Sequence, residues 1–290
     1  MITHVALSGS GWLFPWHVGV LAALRARPRA LASASEGLRV TGTSGGAIVA
    51  VTDACGIAPE DAMKMSMEIA KQLRAQPPNA NRGDTWLSSW GRMGGVLERA
   101  LHEHLPTDAH ERCNGGRVGI TATPVRGPAD KMVWREPELI SHFTSRDDLI
   151  EACLASSHIP YYLDGELARE WRGRWWVDGG MLDILPPIAA SDDNDDNSSI
   201  IIKSCPYETL KYVGKSLRPR ADRHQIVSPG WSEFSLVTQL LPWTFHPAAQ
   251  KNLLALYDAG LRRTESWLMD AQLDNPTIDN QTTKSKERSR

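Results

Sequence analysis

The chain has 290 residues, of which 41% are hydrophobic, and its 32 basic and 34 acidic side chains leave a formal charge of −2. Those proportions exclude a disordered, collagen-like or coiled-coil chain. The near-neutral balance offers nucleic acid no basic face. No run approaches the roughly 18 apolar residues of a membrane span. The 11 tryptophans, against 4 phenylalanines and 5 tyrosines, suit an interface that is apolar on one side and wet on the other. Cys55, Cys113, Cys153 and Cys205 have no zinc-site spacing and are expected as buried, reduced thiols. Met1 to Leu7 does not read as a secretory signal, so an intracellular protein, soluble or peripherally lipid-associated, is expected.

In chain order, a short apolar strand over His4 to Leu7 breaks at Ser8-Gly9-Ser10-Gly11, and an amphipathic helix begins near Pro15. A second strand, Leu38 to Thr41, meets Gly42-Thr43-Ser44-Gly45-Gly46, and a buried helix over Ala47 to Cys55 stops at Gly56. Pro59 to Leu73 is helical by spacing, Pro77 to Gly95 irregular, and Val96 to His104 helical. Strands are expected at Val118 to Thr123, Met132 to Trp134, Trp175 to Val177 and Ile200 to Lys203. A helix over Arg146 to Ser156 takes Ser145 as its N-cap. The acidic stretch Ser191 to Ser199 lacks the glycine and distal glutamate of a calcium loop and reads as a solvated loop. Asn252 to Leu268 forms a long amphipathic helix, and 269–290 is a polar tail expected to be disordered, leaving 1–268 as one domain. Short apolar strands alternating with helices predict an α/β fold, three layers α/β/α around a mostly parallel sheet.

Three short patterns carry chemistry. Gly42-Thr43-Ser44-Gly45-Gly46, between a strand and a helix, is a nucleophile-elbow pattern that holds a serine in a strained turn with its hydroxyl presented at the helix N-terminus. A glycine-rich turn without chemistry would use the same letters. Only about 40 residues precede Ser44, which argues against the ordinary α/β-hydrolase order. His224 and His246 lie late enough to serve as triad bases but have no supporting motif, and His17 sits on the first helix. In Trp176-Val177-Asp178-Gly179-Gly180 an acid ends a strand, either presented at the sheet edge where ligands collect or merely shaping a turn. Ser8-Gly9-Ser10-Gly11 is an anion nest of backbone N–H groups, without the third glycine of a dinucleotide fingerprint or the Gly-Lys-Ser/Thr of a phosphate loop.

In this order the three patterns resemble the patatin-like phospholipase family. The run Ser8 to Val20, with Trp12-Leu13-Phe14 and His17-Val18-Gly19-Val20, is similar to its adipose-triglyceride-lipase-like branch, as are Phe143 to Ile150 and Ser157-His158-Ile159-Pro160-Tyr161-Tyr162. The resemblance implies a Ser44–Asp178 catalytic dyad, an oxyanion hole from the N–H groups of Gly9, Ser10 and Gly11, and a serine acyl hydrolase (lipase) of acylglycerol esters needing neither metal nor organic cofactor. Ser10 and Trp12 depart from the third glycine and basic residue that many members carry, so backbone donors survive but a guanidinium does not. The expected partner is a lipid ester at a membrane or droplet surface, with Trp12, Trp86, Trp90 and Trp243 as candidate substrate or interface contacts. A phospholipase A or lysophospholipase with the same dyad, or a catalytically silent lipid-surface binding protein, are the alternatives.

Overall fold

The structure is a computed structural model and describes residues 1–27, 30–33, 35, 37–75, 90–126, 133–182, 199–204, 225–229 and 234–270. The described strands join in one nine-stranded sheet. At its centre β1 (His4–Leu7) runs parallel to β2 (Arg39–Thr43) on one side and β8 (Ser199–Ile202) on the other; β3 (Val118–Arg126) and β9 (Gln225–Val227) extend the parallel set. Every residue of β1 and β8 is buried, as expected of parallel strands covered on both faces.

Beyond β3 the sheet turns antiparallel, which the strand pattern alone did not reveal. β4 (Val133–Trp134), β5 (Glu138–Ile140) and β7 (Arg174–Asp178) pair antiparallel with β3, and β6 (Arg169–Trp171) pairs with β7. The hairpin between β6 and β7 turns on Arg172 and Gly173, both at positive φ (51° and 67°), as a two-residue hairpin of this twist requires. Arg172 is held there by its guanidinium, which donates to Asp148 at 2.9 Å and lies over the Trp171 ring at 4.4 Å.

The register shows how two distant segments meet. Alternate residues of a strand direct their backbone groups to opposite edges. The Val40 N–H bonds the Arg117 carbonyl, so the odd-numbered residues along β3 serve the β2 edge. The Pro124 carbonyl accepts from Arg135 on the other edge, where β5 and β4 lie. β7 therefore shares the edge used by β2. β2 ends with Thr43 opposite Thr121, and β7 ends, running the other way, with Asp178 opposite Ala122. The two strand ends meet head-on at successive positions of β3.

Helices α1 (Phe14–Arg25), α2 (Gly45–Ala54), α3 (Pro59–Ala75), α4 (Met93–His104), α5 (Ala109–Cys113) and α6 (Arg146–Ser156) pack with the sheet, followed late in the chain by α7 (Leu241–Phe245) and α8 (Gln250–Asp270). Ser145 caps α6 as expected, its hydroxyl accepting from the Asp148 N–H at 3.1 Å. α1 crosses α8 at glycine contacts: a Cβ on Gly260 would lie 2.3 Å from the Trp16 carbonyl oxygen, and one on Gly19 2.1 Å from that of Tyr257. All of α2 from Gly45 to Thr52 is buried. No helix among the described residues is long and apolar enough to cross a membrane. Residues 271–290, residues 191–198 of the acidic loop, Cys205 and His224 lie outside the described residues.

Candidate active site

Between β2 and α2 the backbone makes the sharp turn that the motif predicts. Ser44 has φ 54° and ψ −127°, a conformation that costs a non-glycine residue about 1–3 kcal/mol and persists only where its surroundings enforce it. The flanking glycines are required by contact: a Cβ on Gly42 would lie 2.3 Å from the Gly46 carbonyl, and one on Gly46 2.5 Å from the Ser8 carbonyl. Ser44 is only 6% exposed and faces a cavity rather than open solvent.

Asp178 closes β7 and is 3% exposed. Its carboxylate accepts a hydrogen bond from the Gly180 N–H at 2.6 Å and lies within interaction range of the Ser44 side chain, while its own N–H donates to the His158 carbonyl at 2.8 Å. Burial raises the carboxyl from its ordinary 3.8 to about 6, because the charged form loses water; the Ser44 side chain and the Gly180 N–H pull the other way and recover only part of that cost. The chain can turn so closely after Asp178 because Gly179 has no side chain: a Cβ there would lie 2.3 Å from the Thr121 carbonyl oxygen. Ser44 and Asp178, far apart in sequence, are brought together.

The loop from Ser8 to Gly11 lies against the first turn of α2. Ser8 still extends the sheet, its N–H bonding the Ile202 carbonyl at 2.9 Å, and the Gly9 carbonyl accepts from the Ser204 hydroxyl at 3.0 Å. The Ser10 hydroxyl and Gly11 carbonyl approach Gly45 so closely that a Cβ there would lie 2.5 Å and 2.8 Å from them. Gly11, at φ 50°, is pressed on the far side by the Thr244 carbonyl of α7. The loop that carries Gly9, Ser10 and Gly11 thus lies beside the first turn of α2, whose leading N–H groups have no acceptor within the helix.

An apolar cavity with about 50 Å³ of free space opens beside Ser44, walled by Trp12, Phe14, Ile48, Met65, Ile69 and Leu97. That is less than two water volumes of ~30 Å³, so a long acyl chain enters only if the walls move. α7 is fastened near it, with the Tyr162 hydroxyl donating to the Phe245 carbonyl at 2.7 Å and the Tyr162 ring edge-on to both Phe245 and Trp90.

The candidate tryptophans divide. Trp12 is 3% exposed and walls the cavity beside Ser44, a place that fits contact with substrate and not with a lipid surface. Trp90 is exposed, Trp243 is half-buried against Phe234, and Trp86 lies outside the described residues. Of the histidines weighed as bases, His17 is fully buried, neither ring nitrogen has a partner among the described residues, and burial pushes it down to about 3, leaving it neutral. His246 is half-buried just after α7. Sequence reasoning gave no role to Ser156, whose hydroxyl accepts from the Ser44 N–H at 2.8 Å, or to the backbone carbonyl of His158 behind Asp178. No spacing rule marks either. Among the described residues no group of His, Cys, Asp or Glu has the arrangement of a metal site.

The patatin-like phospholipase family model matches residues 5–190. The chain belongs to that family. Patatin-like phospholipase domain-containing protein 2 of Mus musculus is 35% identical over 189 residues, covering 63% of this chain and 34% of its own length. Patatin-like phospholipase domain-containing protein 4 of Homo sapiens is 30% identical over 189 residues, covering 63% of this chain and 67% of that protein. The Mus musculus 1-acylglycerol-3-phosphate O-acyltransferase Pnpla3 is 29% identical over 187 residues, covering 64% and 41% of the two chains. Against the first of these relatives the chain spans about a third of the length. Among solved structures, VipD from Legionella pneumophila overlaps 91% of this chain and 67% of its own, at 13% identity and a TM-score of 0.41. The three-layer α/β fold expected from the sequence is the fold of this family.

Proposed function

We propose that the chain is a serine acyl hydrolase that cleaves fatty-acyl esters of acylglycerols through Ser44 and Asp178. The observation that carries the reading is the meeting of the Ser44 side chain with a buried carboxylate raised to about 6, at the edge of an apolar cavity. A carboxylate near 6 is ionised at neutral pH yet more basic than an exposed aspartate, which suits a general base.

In this mechanism Asp178 accepts the Ser44 proton as Oγ attacks the ester carbonyl. The N–H groups of Gly9, Ser10 and Gly11 and of the α2 first turn stabilise the tetrahedral oxyanion; removing one such donor costs about 3–4 kcal/mol. The intermediate collapses with release of the alcohol, which takes the proton from Asp178, and leaves an acyl-serine. Asp178 then takes a proton from water, which attacks the acyl-serine; collapse of the second intermediate frees the fatty acid and returns the proton to Ser44. The apolar walls receive the acyl chain once the cavity widens. Trp90 and Trp243, with the exposed Leu241, face a lipid surface.

A fluorophosphonate probe tests the reading. It labels the intact chain, and Ser44→Ala abolishes labelling; persistence of the label in that variant refutes the assignment of the nucleophile. Triolein, diolein and phosphatidylcholine offered side by side decide between acylglycerol lipase and phospholipase, with greater release from phosphatidylcholine overturning the acylglycerol preference. One relative is named an acyltransferase. Fatty acid as the sole acyl product in the presence of glycerol distinguishes hydrolysis from transfer.

A further inference from the structure

The elbow creates a hydrogen-bonding problem that its own strand does not solve. Along the β2–β3 ladder, with Val40 N–H on the Arg117 carbonyl and Thr43 opposite Thr121, the next rung would run from the Ser44 N–H to the Thr121 carbonyl. Ser44 turns out of the strand at φ 54° before that rung can form, and as N-cap of α2 its N–H has no acceptor within the helix either. A buried N–H and a buried carbonyl would both be left open.

Ser156 fills the gap with one hydroxyl. Its Oγ accepts from the Ser44 N–H at 2.8 Å and donates to the Thr121 carbonyl at 2.7 Å, and the residue is fully buried at the last turn of α6. The same Thr121 carbonyl is the atom against which Gly179 packs, immediately after Asp178. The strained turn that carries the nucleophile and the turn that carries the carboxylate are thus referred to one backbone oxygen, the first through Ser156.

We propose that Ser156 is a positioning residue for the Ser44–Asp178 pair, its hydroxyl standing in for a missing rung of the sheet. The inference rests on the reading of Ser44 and Asp178 given above. It follows that the Ser156 hydroxyl sets the distance between nucleophile and base without touching substrate. Alanine removes acceptor and donor together and lets the elbow relax away from β3. Threonine keeps the hydroxyl.

The test compares wild type, Ser156→Ala and Ser156→Thr on a soluble p-nitrophenyl ester, with kcat and KM followed from about pH 5 to about pH 9. In Ser156→Ala kcat falls about tenfold to a hundredfold with KM little changed, as expected for a displaced nucleophile. The acid limb moves to higher pH, because the interaction with Ser44 that lowers the Asp178 carboxyl is weakened. Ser156→Thr restores the limb and most of the rate. A merely structural role predicts activity lost in proportion to unfolded protein with the limb in place, and that result overturns the proposal, as does an unchanged kcat. Should Ser156→Ala fail to fold, Ser156→Cys, whose thiol makes longer and weaker bonds, is judged by the same limb. Fluorophosphonate labelling separates the two layers of argument: a wild type unlabelled at Ser44 removes the pair and this inference with it, whereas a labelled wild type with an unshifted Ser156→Ala limb removes this inference alone.

Discussion

Replacing Asp178 by asparagine changes charge while keeping shape, and the structure predicts opposite effects on turnover and on stability. The carboxyl rises from 3.8 to about 6 on burial. At about 1.4 kcal/mol per pH unit, holding it ionised in the folded protein costs about 3 kcal/mol above pH 6. Between about pH 4 and pH 6 the folded state keeps a proton that the unfolded chain has released, so stability falls as pH rises through this window and stays low above it. Asp178→Asn lacks that penalty. Its amide still accepts from the Gly180 N–H through Oδ1 and offers Nδ2 to Ser44, so the contacts are largely conserved. The variant is therefore expected to lose hydrolysis and to exceed wild type in stability at pH 8 by up to about 3 kcal/mol, a gain that fades toward pH 4. Thermal unfolding by circular dichroism at pH 8 and pH 4.5, with activity on a soluble ester, measures both. A variant less stable than wild type at pH 8, or a stability difference independent of pH, would refute the argument that burial sets the Asp178 carboxyl.

The same carboxyl predicts that wild-type kcat/KM rises with pH through about 6, where the base becomes ionised, and a flat profile between pH 5 and pH 7 would contradict its role. Ser44→Gly abolishes activity but raises stability by about 1 kcal/mol, since glycine adopts φ 54° without strain; chemical denaturation reads the gain. Gly260→Ala drives a methyl into the Trp16 carbonyl of the neighbouring helix and lowers stability by about 2 kcal/mol or more. Its kcat per folded molecule stays near wild type, because the α1–α8 crossing does not form the dyad.

Much of this was legible in the chain because the chemistry demands unusual residues. A serine at positive φ needs small neighbours, and the steric reasons for Gly42 and Gly46 are backbone contacts that no side chain could share. The parallel strands β1, β2, β3 and β8 were readable from their apolar runs, whereas the short β9 was not. In the antiparallel half β4 and β7 were read as strands, but β5, β6 and the direction of pairing were not: the hairpin turns on Arg172-Gly173, a pair without the usual turn signature, stabilised by Asp148 of α6. For Trp12 the sequence left substrate and surface contact open, since composition marks tryptophan as amphipathic but only packing shows which wall it joins. Ser156 left no trace in spacing because its role comes from where α6 ends relative to β3, a tertiary fact.

The head-on meeting of β2 and β7 also orders events in time. Synthesis completes the elbow, its helix and β3 well before Arg174 to Asp178 emerge, so a partly translated chain holds the Ser44 turn without the carboxylate that comes to lie beside it. On the proposed Ser44–Asp178 reading, esterase competence arrives when β7 docks on β3 and not when the first half folds.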